Sequence, residues 1–472
     1  MTNTLPSSNG SKQRPKRSNT ESSVGLQKHK RSPTGIGLAL ITPLLGQEFL
    51  DRYGLRGPLN RGLRYGVKTA FSALGASSRQ FKRVQGIGKP ATRLEANRPK
   101  GLDYFDLTPD DEQKMIVETV AEFAEELLRP AAHDADDAAT YPADLVAKAS
   151  EIGVTAINIP EDFDGIAAHR STITKALVAE ALAYGDMGLA LPILAPGGVA
   201  SALTHWGSAD QQATYLPEFA GENVPQACVA IAEPQALFDP TALKTVAVRT
   251  PSGYRLTGTK SLVPAAATAE LFVIGAQLNG KPALFIVESG SEGLTVKADP
   301  SMGIRAAALG RVELNNVAVP LHHRLGDDES TEADHAQNYS DAIALARLGW
   351  AALAVGTSHA VLDYVVPYVK EREAFGEPVA RRQSVAFMCA NIAIELDGLR
   401  LVTWRGASRA EQGLSFAREA ALAKRLATDK GMQIGLDGVQ LLGGHGFTKE
   451  HPVERWYRDL RALGVAEGVV VL

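Results

Sequence analysis

Residues 461–472 read RALGVAEGVVVL and hold one carboxylate, Glu467, among small and apolar residues, with Gly468 beside it. A single acid in such a setting is either a solvated residue without a task or a general base set against a substrate proton. Few other signatures of chemistry accompany it. The chain has no P-loop, no GxGxxG after a strand, no HExxH and no GxSxG, which argues against the common nucleotide folds and the familiar hydrolases. GIGLAL, from residue 35, lacks both the third glycine and a preceding strand. Two cysteines, Cys228 and Cys389, are too few for a disulfide framework or a cysteine-ligated zinc site; no metal site is expected, and a reducing compartment is.

The elements that would position Glu467 fall into three blocks. From residue 108, TPDDEQKMIVETVAEFAEELLRP offers Thr108 as N-cap, Pro109 at the first helical position and acids in the first turn. Ile116, Val120, Phe123 and Leu127 recur at helical spacing, and Pro130 is expected to end the run. Further helical stretches at about 143–152, 171–185 and 196–206 make residues 106–225 a helical domain. From about residue 226 the segments ACVAIAEP, LKTVAVRT, GYRLTGTKSLV, AELFVIGAQL, KPALFIVE, GLTVKAD and GRVELNNVAVP read as short strands parted by Gly, Pro and Asn. They predict a middle antiparallel β domain over residues 226–335. Helical periodicity then resumes and predicts a C-terminal helical bundle over residues 336–472. The fold class is α+β, in the order helices, β module, helices.

The 472 residues, 45% hydrophobic and 22% charged, have an ordinary soluble composition. The longest apolar run noted, GIGLALITPLLG at residues 35–46, falls short of the roughly 18 residues of a membrane span, so none is expected. A net charge of −4 conceals an asymmetry: residues 1–100 hold 19 Lys/Arg against 4 Asp/Glu, and the remainder 30 against 49. Residues 1–105 thus form a basic N-terminal extension to an acidic body. Its first 34 residues are polar and compositionally disordered. Over residues 35–83, apolar clusters alternate with Arg52, Arg56, Arg61, Arg64, Lys68, Lys82 and Arg83. That pattern suits amphipathic helices on an anionic membrane surface, and equally a basic arm packed on the acidic body; an organellar transit peptide is a third reading. No recognised module accompanies the charge, so nucleic-acid binding is not expected.

The three-block order, together with VQLLGGHGFTKEHPVERWYRDLRALGVAEG (residues 439–468) and REAFGEPVARRQ (residues 372–383), resembles the acyl-CoA dehydrogenase family over about residues 106–472. The first segment is similar, without a gap, to the family's QILGGYGYTKDFPVERYYRDAKITEIYEG. The resemblance implies FAD-dependent α,β-dehydrogenation of an acyl-CoA thioester. Glu467 falls in the register of the family's base, with its backbone N–H as one donor to the thioester oxygen and Gly468 at the substrate. It also implies that Arg372 reaches the FAD pyrophosphate of a neighbouring subunit, where a bidentate fork suits paired phosphates. Gln383, Gln440, Gly443 and Gly444 fall near adenosine and diphosphate, where glycines let backbone N–H groups approach; structurally, the glycine pair could also be a tight turn. Arg347 matches an arginine near the CoA moiety, although the usual acid three residues earlier is Ala344.

The β block departs from the family pattern. AIAEPQALFD (residues 230–239) stands in place of xxTEPxAGSD, so Ala230 and Ala232 take the flavin-side positions and the threonine hydroxyl is absent. GTKSLVPA (residues 258–265) stands in place of GxKxWITN: Leu262 replaces the stacking tryptophan and Pro264, which has no N–H, the hydroxyl residue. The resemblance implies a homo-oligomer, dimer or tetramer, and an electron-transfer flavoprotein as electron acceptor. The departures leave open a catalytically impaired subunit that completes a paralogue's flavin site. The expected location is cytoplasmic, peripheral to a membrane if the arm binds one, or the mitochondrial matrix if the arm is a transit peptide.

Overall fold

A computed structural model describes residues 108–472 apart from 168–170, 222 and 328. The basic extension, with the membrane-surface, packed-arm and transit readings placed on it, lies outside the described residues.

The first helix, α1 (Asp111–Phe123), is capped by Asp110 rather than Thr108: the Asp110 side chain accepts from the Gln113 N–H, and Gln113 returns the bond in a capping box. Nor does Pro130 end the run. A wide π turn, Ala124–Leu128, carries the chain into α2 (Arg129–Ala138), with Pro130 in the first turn of the new segment. Local widening accommodates the missing N–H and the ring that a regular helix would not. Then come α3 (Leu145–Glu151), α4 (Thr172–Gly185), α5 (Met187–Trp206) and α6 (Ala209–Ala220). The sequence reading missed the first half of α5, where Pro192 and Pro196 lie inside the helix. It also missed that α5 is 20 residues without an acid or a lysine or arginine, long and apolar enough to cross a membrane. Nearly all of it is buried inside the protein, which accounts for apolarity on every face.

All seven expected strands form: β1 (Ala227–Ala230), β2 (Val246–Thr250), β3 (Gly253–Val263), β4 (Leu271–Leu278), β5 (Lys281–Glu288), β6 (Leu294–Ala298) and β7 (Gly310–Pro320). The sheet is mixed rather than antiparallel throughout. β5 pairs with β4 and the meander β2–β3–β7–β6 is antiparallel, but β1 and β2 both run parallel to β4. The long connection from β1 to β2, residues 231–245, allows this, since only short hairpins force antiparallel neighbours.

The C-terminal block begins with α7 (Glu332–Glu371), 40 residues and about 60 Å long at 1.5 Å per residue. A small hairpin, β8 (Glu373–Ala374) and β9 (Glu377–Pro378), leads to α8 (Gln383–Glu411), α9 (Ala417–Leu426), α10 (Met432–Leu442) and α11 (Val453–Ala462). The chain then runs back through the middle of the molecule. Residues 469–472 are each at most 3% exposed and lie between α5 and α7. The passage exists because both helices present a glycine: a Cβ on Gly198 would stand 2.1 Å from the Val469 carbonyl oxygen, and one on Gly349 2.2 Å from that of Val470. The Val469 N–H donates to the Val229 carbonyl, so this segment also lies along the edge of β1 away from β4.

Candidate active site

Glu467 sits where this returning strand leaves α11. Its carboxylate is held by Arg347 of α7: Nη2 donates to Oε1 at 2.9 Å, and Nε lies 3.1 and 3.2 Å from Oε1 and Oε2. The Arg347 and Glu467 side chains are 28% and 12% exposed, so the pair faces a partly open space. Arg347 and Trp350 lie three residues apart on α7 and therefore on one helix face. The Trp350 indole N–H donates to the Gly468 carbonyl at 2.9 Å. Gly468 in turn bridges Ala230 of β1. It has φ +77°, and a Cβ there would come within 2.7 Å of Ile231, so the position admits glycine alone without rearrangement. The structure thus brings together Glu467, Arg347, Gly468 and Ala230, residues from three distant parts of the sequence.

The surroundings of Ala230 and Ala232 are braced by a buried ion pair. Glu233 accepts from Lys260 Nζ at 2.8 Å, from the Thr245 hydroxyl and from the backbone N–H groups of Lys244 and Thr245. Burial alone would raise the Glu233 carboxyl, but the Lys260 ammonium and these hydrogen bonds outweigh it and hold it below the usual range. Burial lowers Lys260 to about 8, against the pull of Glu233. This pair ties the β1–β2 connection to β3. Ala230 and Ala232 are 1% and 4% exposed, and the Ala232 carbonyl is already used by the Ser261 N–H. Neither side chain offers a ligand much surface. In the next stretch, Asp299 accepts from both the Ser261 hydroxyl and the Leu262 N–H, and Leu262 adopts φ +55°. The Ser261 hydroxyl and the Leu262 N–H are thus committed to Asp299, beside the departures at Leu262 and Pro264.

A second constellation forms where α7 and α10 end and α8 begins. Tyr368, Arg372, Gln440, Gly443, Gly444 and His445 line much of a cavity of about 760 Å³. Cβ atoms at Gly443 and Gly444 would meet nothing within 4 Å, so their backbone faces open space rather than a packed turn. Gln383 opens α8 next to the lining residue Ser384 but does not itself line the cavity. An arginine, an amide and two bare glycine backbones suit a nucleotide diphosphate, and the residues present fit that part of FAD. The lining of this cavity does not include Glu467, Arg347 or Gly468.

The sequence reading did not single out Trp350, Glu233 or Lys260 as determinants of this geometry, and it passed over Lys424 of α9. The Lys424 ammonium donates to the Ala466 carbonyl at 2.5 Å. A lysine at an otherwise helical, partly buried position was the available signal, but nothing in spacing could couple it to a residue 42 positions later.

Comparisons with known proteins assign the chain to a family. Family models describing the acyl-CoA dehydrogenase N-terminal, middle and C-terminal domains match residues 110–223, 228–317 and 338–469. The mitochondrial short/branched chain specific acyl-CoA dehydrogenase of Bos taurus is 31% identical over 366 residues, covering 76% of this chain and 83% of the relative. The butyryl-CoA dehydrogenase structure from Megasphaera elsdenii superposes with a TM-score of 0.70 at 27% identity, over 78% of this chain and 97% of that one. A chain from the electron transferring flavoprotein work on Acidaminococcus fermentans gives 0.70 at 29%, over 78% and 96%. A further neighbour, at 25% identity, is a complex with FAD. With three domain models matching in order and a relative of this identity spanned over most of its length, the chain belongs to the acyl-CoA dehydrogenase family.

Proposed function

We propose that the protein dehydrogenates an acyl-CoA thioester between its α- and β-carbons, with Glu467 taking the α-proton. The observation that carries this reading is the fixation of Glu467. Its carboxylate is aimed by Arg347, and the backbone on either side is tied to Lys424, Trp350 and β1. A solvated tail residue would need none of these. FAD, when bound, supplies the acceptor for the hydride that leaves the β-carbon. In this reading the Glu467 N–H donates to the thioester oxygen, Gly468 keeps the acyl group close to the backbone, and Arg347 releases the carboxylate as substrate enters. Arg372, Gln440, Gly443 and Gly444 hold the adenosine diphosphate portion, with Gln383 at the margin. Because their cavity does not reach Glu467, we read it as serving the flavin of a second copy, which makes the enzyme a homo-oligomer. An electron-transfer flavoprotein is the fitting acceptor of the electrons. The location follows the earlier expectation: cytoplasmic, peripheral to a membrane if the basic arm binds one, or the mitochondrial matrix if residues 1–105 are a transit peptide.

The inward turn of Ser261 and Leu262 toward Asp299, with Pro264 lacking an N–H, favours a second reading in which this subunit completes a paralogue's flavin site. One experiment separates the two. The holoprotein is titrated anaerobically with a series of acyl-CoA thioesters while its visible spectrum is followed. Bleaching of bound flavin that fails in Glu467→Gln supports the dehydrogenase; a protein that stays colourless with added FAD supports the second reading.

A further inference from the structure

Lys424 is half-buried, its ammonium end turned inward, and the charged groups that face it are Glu467 and Arg347. Its Nζ donates to the Ala466 carbonyl at 2.5 Å and stands 5.5 Å from the centroid of the Trp350 ring, within reach of a cation–π attraction. The Lys424 backbone carbonyl accepts from Thr428, whose hydroxyl also reaches the Leu463 carbonyl at 3.3 Å. Lys424 of α9 and Thr428, in the turn that follows it, thus hold the segment from the end of α11 to Glu467 at two carbonyls, those of Ala466 and Leu463. The Ala466 carbonyl and the Glu467 N–H belong to one peptide, which is planar and places them on opposite sides. Among the described residues, the Glu467 N–H has no acceptor.

We propose that Lys424 is a positioning residue for the thioester oxygen, acting through the peptide that joins Ala466 to Glu467. An ammonium on the carbonyl sets the direction of the N–H across the same plane. It also draws electron density toward the carbonyl oxygen, which makes the N–H a stronger donor. A donor strengthened in this way favours the enolate-like charge that builds on the thioester oxygen as the α-proton leaves. Burial lowers Lys424 to about 8, opposed by Glu467, so the effect fades in mildly alkaline solution. The inference rests on the reading of Glu467 given above.

The test uses the holoenzyme and an acyl-CoA labelled with ¹³C at the thioester carbonyl. Infrared difference spectra report the carbonyl stretch, which falls as hydrogen bonding to the oxygen strengthens. The wild type is expected to lower the stretch, less so as pH rises through about 8. Lys424→Met should lose most of that lowering and about tenfold in kcat, with KM changed little, since the contact acts chiefly in the transition state. Lys424→Arg should retain both and abolish the alkaline loss. Glu467→Gln keeps the peptide, so it should keep the carbonyl shift while flavin bleaching stops. Normal bleaching in Glu467→Gln would refute the base assignment alone. A carbonyl stretch unchanged in Lys424→Met, or a wild-type shift independent of pH, would overturn the role of Lys424. Should Lys424→Met fail to fold, the wild-type pH series and Lys424→Arg decide.

Discussion

Gly349→Ala separates packing from catalysis at this site. The new methyl would be placed 2.2 Å from the Val470 carbonyl oxygen and 2.8 Å from the Val470 side chain. The first neighbour is backbone, so the strand must move by about 1 Å to restore an ordinary contact distance. Overpacking of a buried site costs about 1–3 kcal/mol. Against that, alanine is worth up to about 1 kcal/mol more than glycine inside a helix. The net loss of stability is therefore about 0–3 kcal/mol, and at roughly 2 °C per kcal/mol for a chain of this size the melting temperature falls by no more than about 6 °C. Glu467 lies three residues from the displaced Val470, and a 1 Å misplacement of a reacting group costs on the order of 100-fold. The assay is steady-state dehydrogenation with an artificial electron acceptor, paired with differential scanning calorimetry of the same samples. A large loss of kcat with nearly native melting is expected. Wild-type kcat in a variant that melts several degrees lower would refute the claim that the packed strand positions Glu467.

Two further outcomes follow from charges away from Glu467. Glu180 is buried against Arg400 and Trp404, and burial raises its carboxyl to about 7 despite both partners. A raised folded value means that this group's contribution is full below the unfolded value of about 4.5 and is lost as pH rises through about 7, up to about 3 kcal/mol in all. Chemical denaturation of Glu180→Gln at pH 5 and pH 8 should show that slope removed, and an unchanged slope would place the titration elsewhere. Arg372→Lys should weaken FAD retention about tenfold, because the bidentate fork is lost while the charge remains. Equilibrium dialysis checks this, and full retention of flavin would exclude Arg372 from the diphosphate site.

The strands were readable because Gly, Pro and Asn punctuate short runs of β-branched residues, and punctuation is local. The pairing of β1 and β2 alongside β4 was not, since strand order depends on what the 231–245 connection permits rather than on any strand's composition. Glu467, Arg372 and the glycine pair stood out because they lie in segments whose register matches a family motif. The ion pair between Arg347 and Glu467 spans 120 positions, and no periodicity encodes a contact of that range. Lys424 escaped notice for the same reason. Pro130 misled in the other direction: a general rule about helix ends gave way to a π turn that only packing could select.

The bond from Val469 to Val229 has a consequence outside catalysis. β1 is a four-residue strand buried at every position, and its edge away from β4 is covered by the same strand that presents Glu467. If that strand leaves, a backbone edge with free donors and acceptors is exposed between apolar side chains, the kind of edge that recruits strands from other molecules. Substitutions that unseat Glu467 by disturbing Gly198, Gly349 or Gly468 should therefore be met in cells as insoluble protein as often as silent enzyme. Solubility and competence for the reaction are coupled here through one hydrogen-bonded edge.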